Sequence, residues 1–476
     1  MTLGTRRNKT LPVILLIIWF ALFLLGVHLY EGSRWLYLLF SSCYLCLIIT
    51  ACFYRINYAY LYFAIFLWLG YWLKLTAHTI LSYPYQESTG AFVSTGASLD
   101  EVLMVATVGC CGVLLAWWIY RYFVTHSTMF LGPSSKNIAP SWYKNNRRLC
   151  LSLLMLMGFV TAVVNVIFGI QQSGLVPRII LHWPLNAVTY WLLAIGFALM
   201  TTTMLGWDVS LNKRASSVAF LSLLEAFFSS VSILSRGLYI FHVIPSIVSL
   251  CSNREIIKKI RRLLIVVMSL CCVVFFVMSL FMVAALRSYY YSGVLPDFRR
   301  VNSDSTQPIL RLVVDRWIGV EGLMAVASYP NKNGALFYQA LVEKSEIGKI
   351  GMYQRVAKSQ YLDADANRFA FATLPGPMAF LYYSGSLLFV FCGMFLFTFV
   401  MMQSEKLVGF LTRNVFTCSL YGMTIANSIA QIGTTPSVLL KFYGMTFGFI
   451  IFVCVIQSTK RLMTRRTRDV DRGLVV

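Results

Sequence analysis

Twelve windows of about 20 apolar residues divide this chain, and each is long enough to cross a hydrocarbon layer as a helix. They lie near 11–30, 35–54, 58–81, 101–124, 148–171, 183–207, 216–234, 237–251, 263–285, 375–402, 414–432 and 437–457. Only helices or closed barrels satisfy the backbone in lipid, so the expected fold is all-α: a polytopic membrane protein of about twelve transmembrane helices. Composition agrees. Of 476 residues, 58% are hydrophobic and 12% charged, which excludes an ordinary water-soluble globular domain.

The formal net charge of +22 would point to nucleic acid in a soluble chain. Here its distribution decides, because Lys and Arg collect on the cytoplasmic side of membrane spans. One set of connections holds Arg6, Arg7 and Lys9; Arg55; Arg121 with Lys136, Lys144, Arg147 and Arg148; Lys213 and Arg214; the 254–262 run; Lys406 and Arg413; and the tail from Lys460 to Arg472. It carries 24 of the 40 Lys and Arg residues. The other set, 31–34, 82–100, 172–182, 235–236, 286–374 and 433–436, is then outside, and both termini are cytoplasmic. Nucleic acid is not implied as a partner; membrane lipid is. Joining 216–251 into one kinked span gives eleven spans and an external C-terminus, against which the basic tail argues.

Three regions follow. Residues 1–285 form a bundle of nine spans, 286–374 a large external loop with amphipathic helices, and 375–476 three more spans with the basic tail. The apolar run from Leu11 reads as a retained first span. Within the loop, Pro308 is placed to start a helix over 309–326, lying on the outer leaflet or against the bundle. Weaker helical runs follow at 334–347 and 350–361, and the 375–377 Pro-Gly-Pro cluster marks entry to the tenth span. Loop 82–100, rich in Ser, Thr and Gly, is expected to be a flexible rim.

Charges at the edge of spans are costly and need a reason. Arg236 stands between two short apolar stretches at the outer end of the seventh span, where it completes a site, marks a hairpin turn or snorkels. Glu225 is expected to pair with Lys441 or make an interhelical hydrogen bond, and Lys74 and Lys441 to snorkel. His78, His182 and His242 lack metal-site spacing and read as polar packing residues. All twelve Cys lie in or at the ends of apolar segments, and the Cys43–Cys46 pair reads as packing. No metal, cofactor or nucleotide motif is indicated.

The outer loop supplies Arg287, Arg299, Arg300, Arg311, Arg316, Arg355 and Arg368. Guanidinium suits phosphate because its planar fork donates two hydrogen bonds and stays charged. Such a surface suits a lipid-linked pyrophosphate or anionic headgroups. Asp315, Glu321, Asp363 and Asp365 are the acids available to deprotonate a hydroxyl.

Several local features resemble the bacterial O-antigen ligase and polymerase superfamily, which includes Wzy-type repeat-unit polymerases. The span ending in Leu234-Ser235-Arg236-Gly237, the basic hairpin and further span after it, Asp315-Arg316-Trp317, and Asn367-Arg368-Phe369 are similar to family segments. Arg311 and Gly322 share the Arg-x10-Gly spacing of some polymerases. The resemblance implies a C-type glycosyltransferase architecture in the bacterial inner membrane, metal-independent and without cofactor. It would transfer a polysaccharide chain from one undecaprenyl pyrophosphate to the terminal sugar of a new lipid-linked repeat unit, giving O-antigen, capsule or exopolysaccharide. A chain-length regulator protein is an implied partner. Family ligases place a His where this chain has Ala366-Asn367-Arg368, which favours polymerase over ligase. The expected catalytic residues are Arg236, with Glu321 preferred over Asp315 as proton acceptor; Arg236, Arg311, Arg316, Arg287 and Arg368 are the expected pyrophosphate ligands. The rival readings are a lipid-linked oligosaccharide flippase or other carrier, an O-antigen ligase, and a glycosyltransferase using a polyprenyl monophosphate sugar.

Overall fold

The computed structural model describes residues 10–53, 57–126, 139–211, 216–252, 262–292, 314–344, 346, 348–370, 374–433 and 438–455. Its long helices are α1 (Thr10–Leu29), α2 (Arg34–Phe53), α3 (Tyr58–Leu81), α4 (Gly96–His126), α5 (Ser141–Phe168), α6 (Leu185–Ser210), α7 (Ser216–Ile233), α8 (Arg236–Ser252) and α9 (Arg262–Ser292). The segment expected outside (the outer segment) carries α10 (Val320–Ala327), α11 (Gly334–Val342) and α12 (Met352–Val356), and α13 (Pro377–Tyr382), α14 (Leu387–Thr412), α15 (Val415–Ala430) and α16 (Val438–Val455) follow it. Nine helices among the described residues are long and apolar enough to cross a membrane, and three shorter apolar ones accompany them. The chain is thus an all-α, multi-pass membrane protein.

Helix α15 joins the bundle's two sides, packing against α3 on one and against α6 and α8 on the other. Small residues permit this: a Cβ at Gly422 would stand 2.7 Å from the Ala59 amide of α3, the close backbone approach typical of helices in lipid. The start of α3 is fixed by α14, whose buried Glu405 accepts from the Tyr58 and Ala59 amides at 2.9 and 2.5 Å. A carboxylate there satisfies orphan amides and favours the positive end of the helix. On the other side α7 is central, with α5, α6, α8 and α9 around it. Helices α7 and α8 form a hairpin rather than a kinked rod: Leu234 turns the chain at φ +60°, and Glu225 meets His242 across it.

The loops expected outside gather on one face. Strand β1 (Gly174–Leu175) pairs antiparallel with β2 (Phe369–Ala370), and the Gly90 amide donates to the Ala357 carbonyl at 3.0 Å. The 28-residue α5 is about 42 Å long, so its Arg147, bonded to Asp208 and Ser217, marks the opposite end.

Four expectations are corrected. No single helix covers 309–326: residues 309–313 lie outside the described set, Val314 and Asp315 are π-helical, 316–319 are irregular, and α10 begins at Val320. Of the two placements expected for this stretch, α10 takes the one against the bundle: every one of its residues is buried, most in one core with α2, α3, α4 and α14. The tenth span starts later than 375, because Gly385 at φ +73° separates α13 from α14. Loop 82–100 is no free rim: Tyr85 stacks on His78 and residues from Gly96 already belong to α4. The runs at 334–347 and 350–361 shorten to α11 and α12.

The outer segment enters the bundle where Gly319 meets Gly70, within a π turn of α3 over Trp68–Leu73. A Cβ on either glycine would overlap backbone of the other strand of chain. Gly319→Ala is therefore expected to cost about 1–3 kcal/mol, as overpacking does, while Gly444→Ala, with nothing within 4 Å of the added carbon, is expected to be near neutral. Thermal unfolding of the purified protein in detergent checks both, and equal midpoints would contradict the close contact.

Candidate functional site

The α7–α8 turn sets Arg236 at the first residue of α8, where it is half-buried with its Nε buried and unbonded. Arg287, in the last turns of α9, donates from Nε to the Leu234 carbonyl at 2.9 Å, which fastens the turn. Arg316 arrives from the outer segment and lies over Gly237, where a Cβ would stand 2.7 Å from its Nη2. A larger residue at 237 would displace this guanidinium. The three cations act on one another electrostatically, and no ion pair among the described residues joins any of them to a carboxylate.

Arg316 keeps exposed surface, yet burial by surrounding protein, then the charges of Arg236 and Arg287, lower its pKa below the ordinary guanidinium value. Like charges gathered beside the positive N-terminus of α8 are an arrangement that would favour an anion. Tyr291 stands beside Arg236 and Arg287 and donates to the Ser173 carbonyl at 3.0 Å. Arg368 is at the rim, donating to the Tyr290 and Tyr291 carbonyls at 3.3 and 3.4 Å. Arg178, not singled out from sequence, joins it with its guanidinium 5.0 Å over the Tyr290 ring; its one sequence signal is a cation in the outer loop 172–182. Arg299, Arg300 and Arg311 lie outside the described residues, and Arg355 is exposed on α12.

Directly beside the cations is a buried charge network. Lys74 does not snorkel: its side chain is 1% exposed and its ammonium bonds both Glu321 oxygens at 2.8 Å, the Asp315 carbonyl at 2.9 Å and the Trp317 carbonyl. His78, expected only as packing, places Nε2 2.7 Å from Asp315 Oδ1, and Tyr83 donates to the same oxygen at 3.2 Å. The two acids expected as proton acceptors are thus unequal. Glu321 has its pKa raised by burial, against the lowering effect of Lys74, and both oxygens are occupied. Asp315 has one oxygen, Oδ2, buried without a partner.

The remaining candidates are elsewhere. Glu225 does not reach Lys441, which is exposed; it pairs with His242 at 3.2 Å and accepts from Ser229 at 2.8 Å. Gly322 has a steric role, since a Cβ there would overlap the Pro375 backbone. Asp363 and Asp365 are exposed on the outer segment. Searches against protein-family models, curated proteins and solved structures find no match to this chain.

Like charges without a carboxylate partner among the described residues cost stability, and a bound anion would offset that cost. Arg316→Gln is therefore expected to raise the unfolding midpoint of the free protein by about 2–4 °C. Inorganic pyrophosphate should stabilise the wild type, by about 2.7 kcal/mol at a hundred times its Kd, and stabilise the variant much less. A lower midpoint for the variant, with no response to pyrophosphate in either protein, would remove the anion site.

Proposed function

We propose that the chain is a membrane glycosyltransferase that polymerises undecaprenyl-pyrophosphate-linked oligosaccharide repeat units on the outer face of the bacterial cytoplasmic membrane. In this reading all twelve apolar helices cross the bilayer, both termini are cytoplasmic, and the face bearing Arg236 and the outer segment is external. The observation that carries it is the cluster of Arg236, Arg287 and Arg316 without a carboxylate partner among the described residues, at the ends of apolar helices. Cations held unpaired beside a membrane suit an anion carried on a lipid.

The chemistry follows from that charge. The glycosidic carbon–oxygen bond to pyrophosphate breaks, its electron pair leaves on the pyrophosphate, and the acceptor sugar hydroxyl bonds to the freed carbon. Negative charge grows on the leaving oxygen, and fixed guanidinium groups stabilise that growth. The proton of the acceptor hydroxyl goes to a carboxylate, and Asp315 is better suited than Glu321 because it alone keeps a free oxygen. A flippase for the same lipid would also need a pyrophosphate site, so cells must decide between the two.

Deleting the gene is expected to collapse the surface-polysaccharide ladder to a single repeat. Loss of all repeats would indicate a ligase or flippase, and an unchanged ladder would remove this class of function. Arg236→Lys keeps one charge but loses the fork; it is expected to reach the membrane normally and to lose activity by about 10²-fold, the scale of removing one oriented transition-state donor. Wild-type activity in that variant would take Arg236 out of the mechanism.

A further inference from the structure

Arg316 follows directly on the end of a π-helical turn and has no regular structure of its own, yet its guanidinium must lie over Gly237 of α8. Val314 and Asp315 are π-helical and residues 316–319 irregular, so carbonyls from the helix end onward lack helical partners, and leaving them buried and unbonded is costly. Lys74 supplies what is missing: one ammonium bonds the carbonyls of Asp315 and Trp317, on either side of Arg316, and the Glu321 carboxylate in the first turn of α10. Four residues on, His78 holds the Asp315 side chain. Four residues back, Gly70 receives Gly319. Positions 70, 74 and 78 recur at the spacing of one helix face, so a single stripe of α3 grips the segment at both ends.

The His78 grip contains a specific proton. Its Nδ1 stands 2.9 Å from the Tyr83 carbonyl, which only accepts, so Nδ1 carries hydrogen. Its Nε2 faces Asp315 Oδ1 at 2.7 Å, so a second proton lies between that pair, whichever partner holds it. With Lys74 opposite Glu321, the four side chains sum to zero charge in either case. The imidazole is held in place by Tyr83 and Tyr85, whose ring centroids lie 3.9 Å from its own on two sides.

We propose that Lys74 and His78 are positioning residues that set the place of Arg316 in the anion site. This rests on the reading that Arg316 faces a lipid-linked pyrophosphate. Neither residue needs to touch the ligand; both fix the backbone from which the guanidinium extends. A misplacement of about 1 Å in such a group is enough to cost about 10²-fold.

The test uses the full chain in detergent, with His78→Gln and Lys74→Met made in wild-type and Arg316→Ala backgrounds. Hydrogen exchange over 314–327 is expected to quicken in both single variants, whatever the protein's function. Inorganic pyrophosphate binding should weaken about tenfold when His78 is changed in the wild type, and less than twofold when it is changed in Arg316→Ala, because the guanidinium it places is already gone. Tyr83→Phe, which removes one hydroxyl from Asp315 and keeps both ion pairs, is expected to show the same pattern more weakly and serves where the other variants do not fold. Unchanged exchange in variants of normal fold would overturn the proposal, as would equal weakening in both backgrounds. Should the wild type bind no pyrophosphate, the function proposed above fails, and exchange alone then judges the grip.

Discussion

The rest of this structure depends on the cost of placing charge in an apolar bundle. Removing an ion from water is repaid only by good geometry and further hydrogen bonds. Lys74 meets Glu321, His78 meets Asp315, His242 meets Glu225, Arg147 meets Asp208, and Glu405 meets two helix-end amides. All but the His242–Glu225 pair, which closes the α7–α8 hairpin, join segments far apart in the chain. They do in the apolar bundle what turns and caps do locally: they specify which helix lies beside which.

Against that pattern the three arginines stand out. Arg236, Arg287 and Arg316 come from three separate segments, and their mutual repulsion opposes the contact that brings them together. The bundle tolerates it because the neighbouring network is neutral and tightly bonded. Arg316 is one residue from Asp315, so a carboxylate held by His78 and Tyr83 and a cation with no carboxylate partner among the described residues share a backbone. Stability in the first and its absence in the second are two sides of one arrangement.

Much of the helical pattern was legible because period and length are local properties. The α7–α8 hairpin, Ser-Arg-Gly at its turn, and the grouping of outer loops can be read from apolar runs and basic connections. The expected helix over 309–326 failed for a tertiary reason. Its apolar residues suit a helix, but Gly319 must lie against Gly70, and Lys74 offers its carbonyls a partner as good as a helix would. Lys74 itself misled because a lysine near a span end reaches water by default; its acceptors lie more than 240 positions on. The stripe Gly70, Lys74, His78 was visible in the sequence as a spacing, but nothing local gave it a partner.

By itself the sequence determined that this chain is a multi-pass helical membrane protein, because hydrophobicity over about 20 residues is enough to decide what lipid accepts. It also supplied the arginines and carboxylates from which a site could be made. Only the tertiary structure decided which charges meet an opposite charge and which, among the described residues, do not. Partner choice among buried charges is set by distances of a few ångströms through space and by the low dielectric around them, and neither quantity is written in the order of residues along the chain.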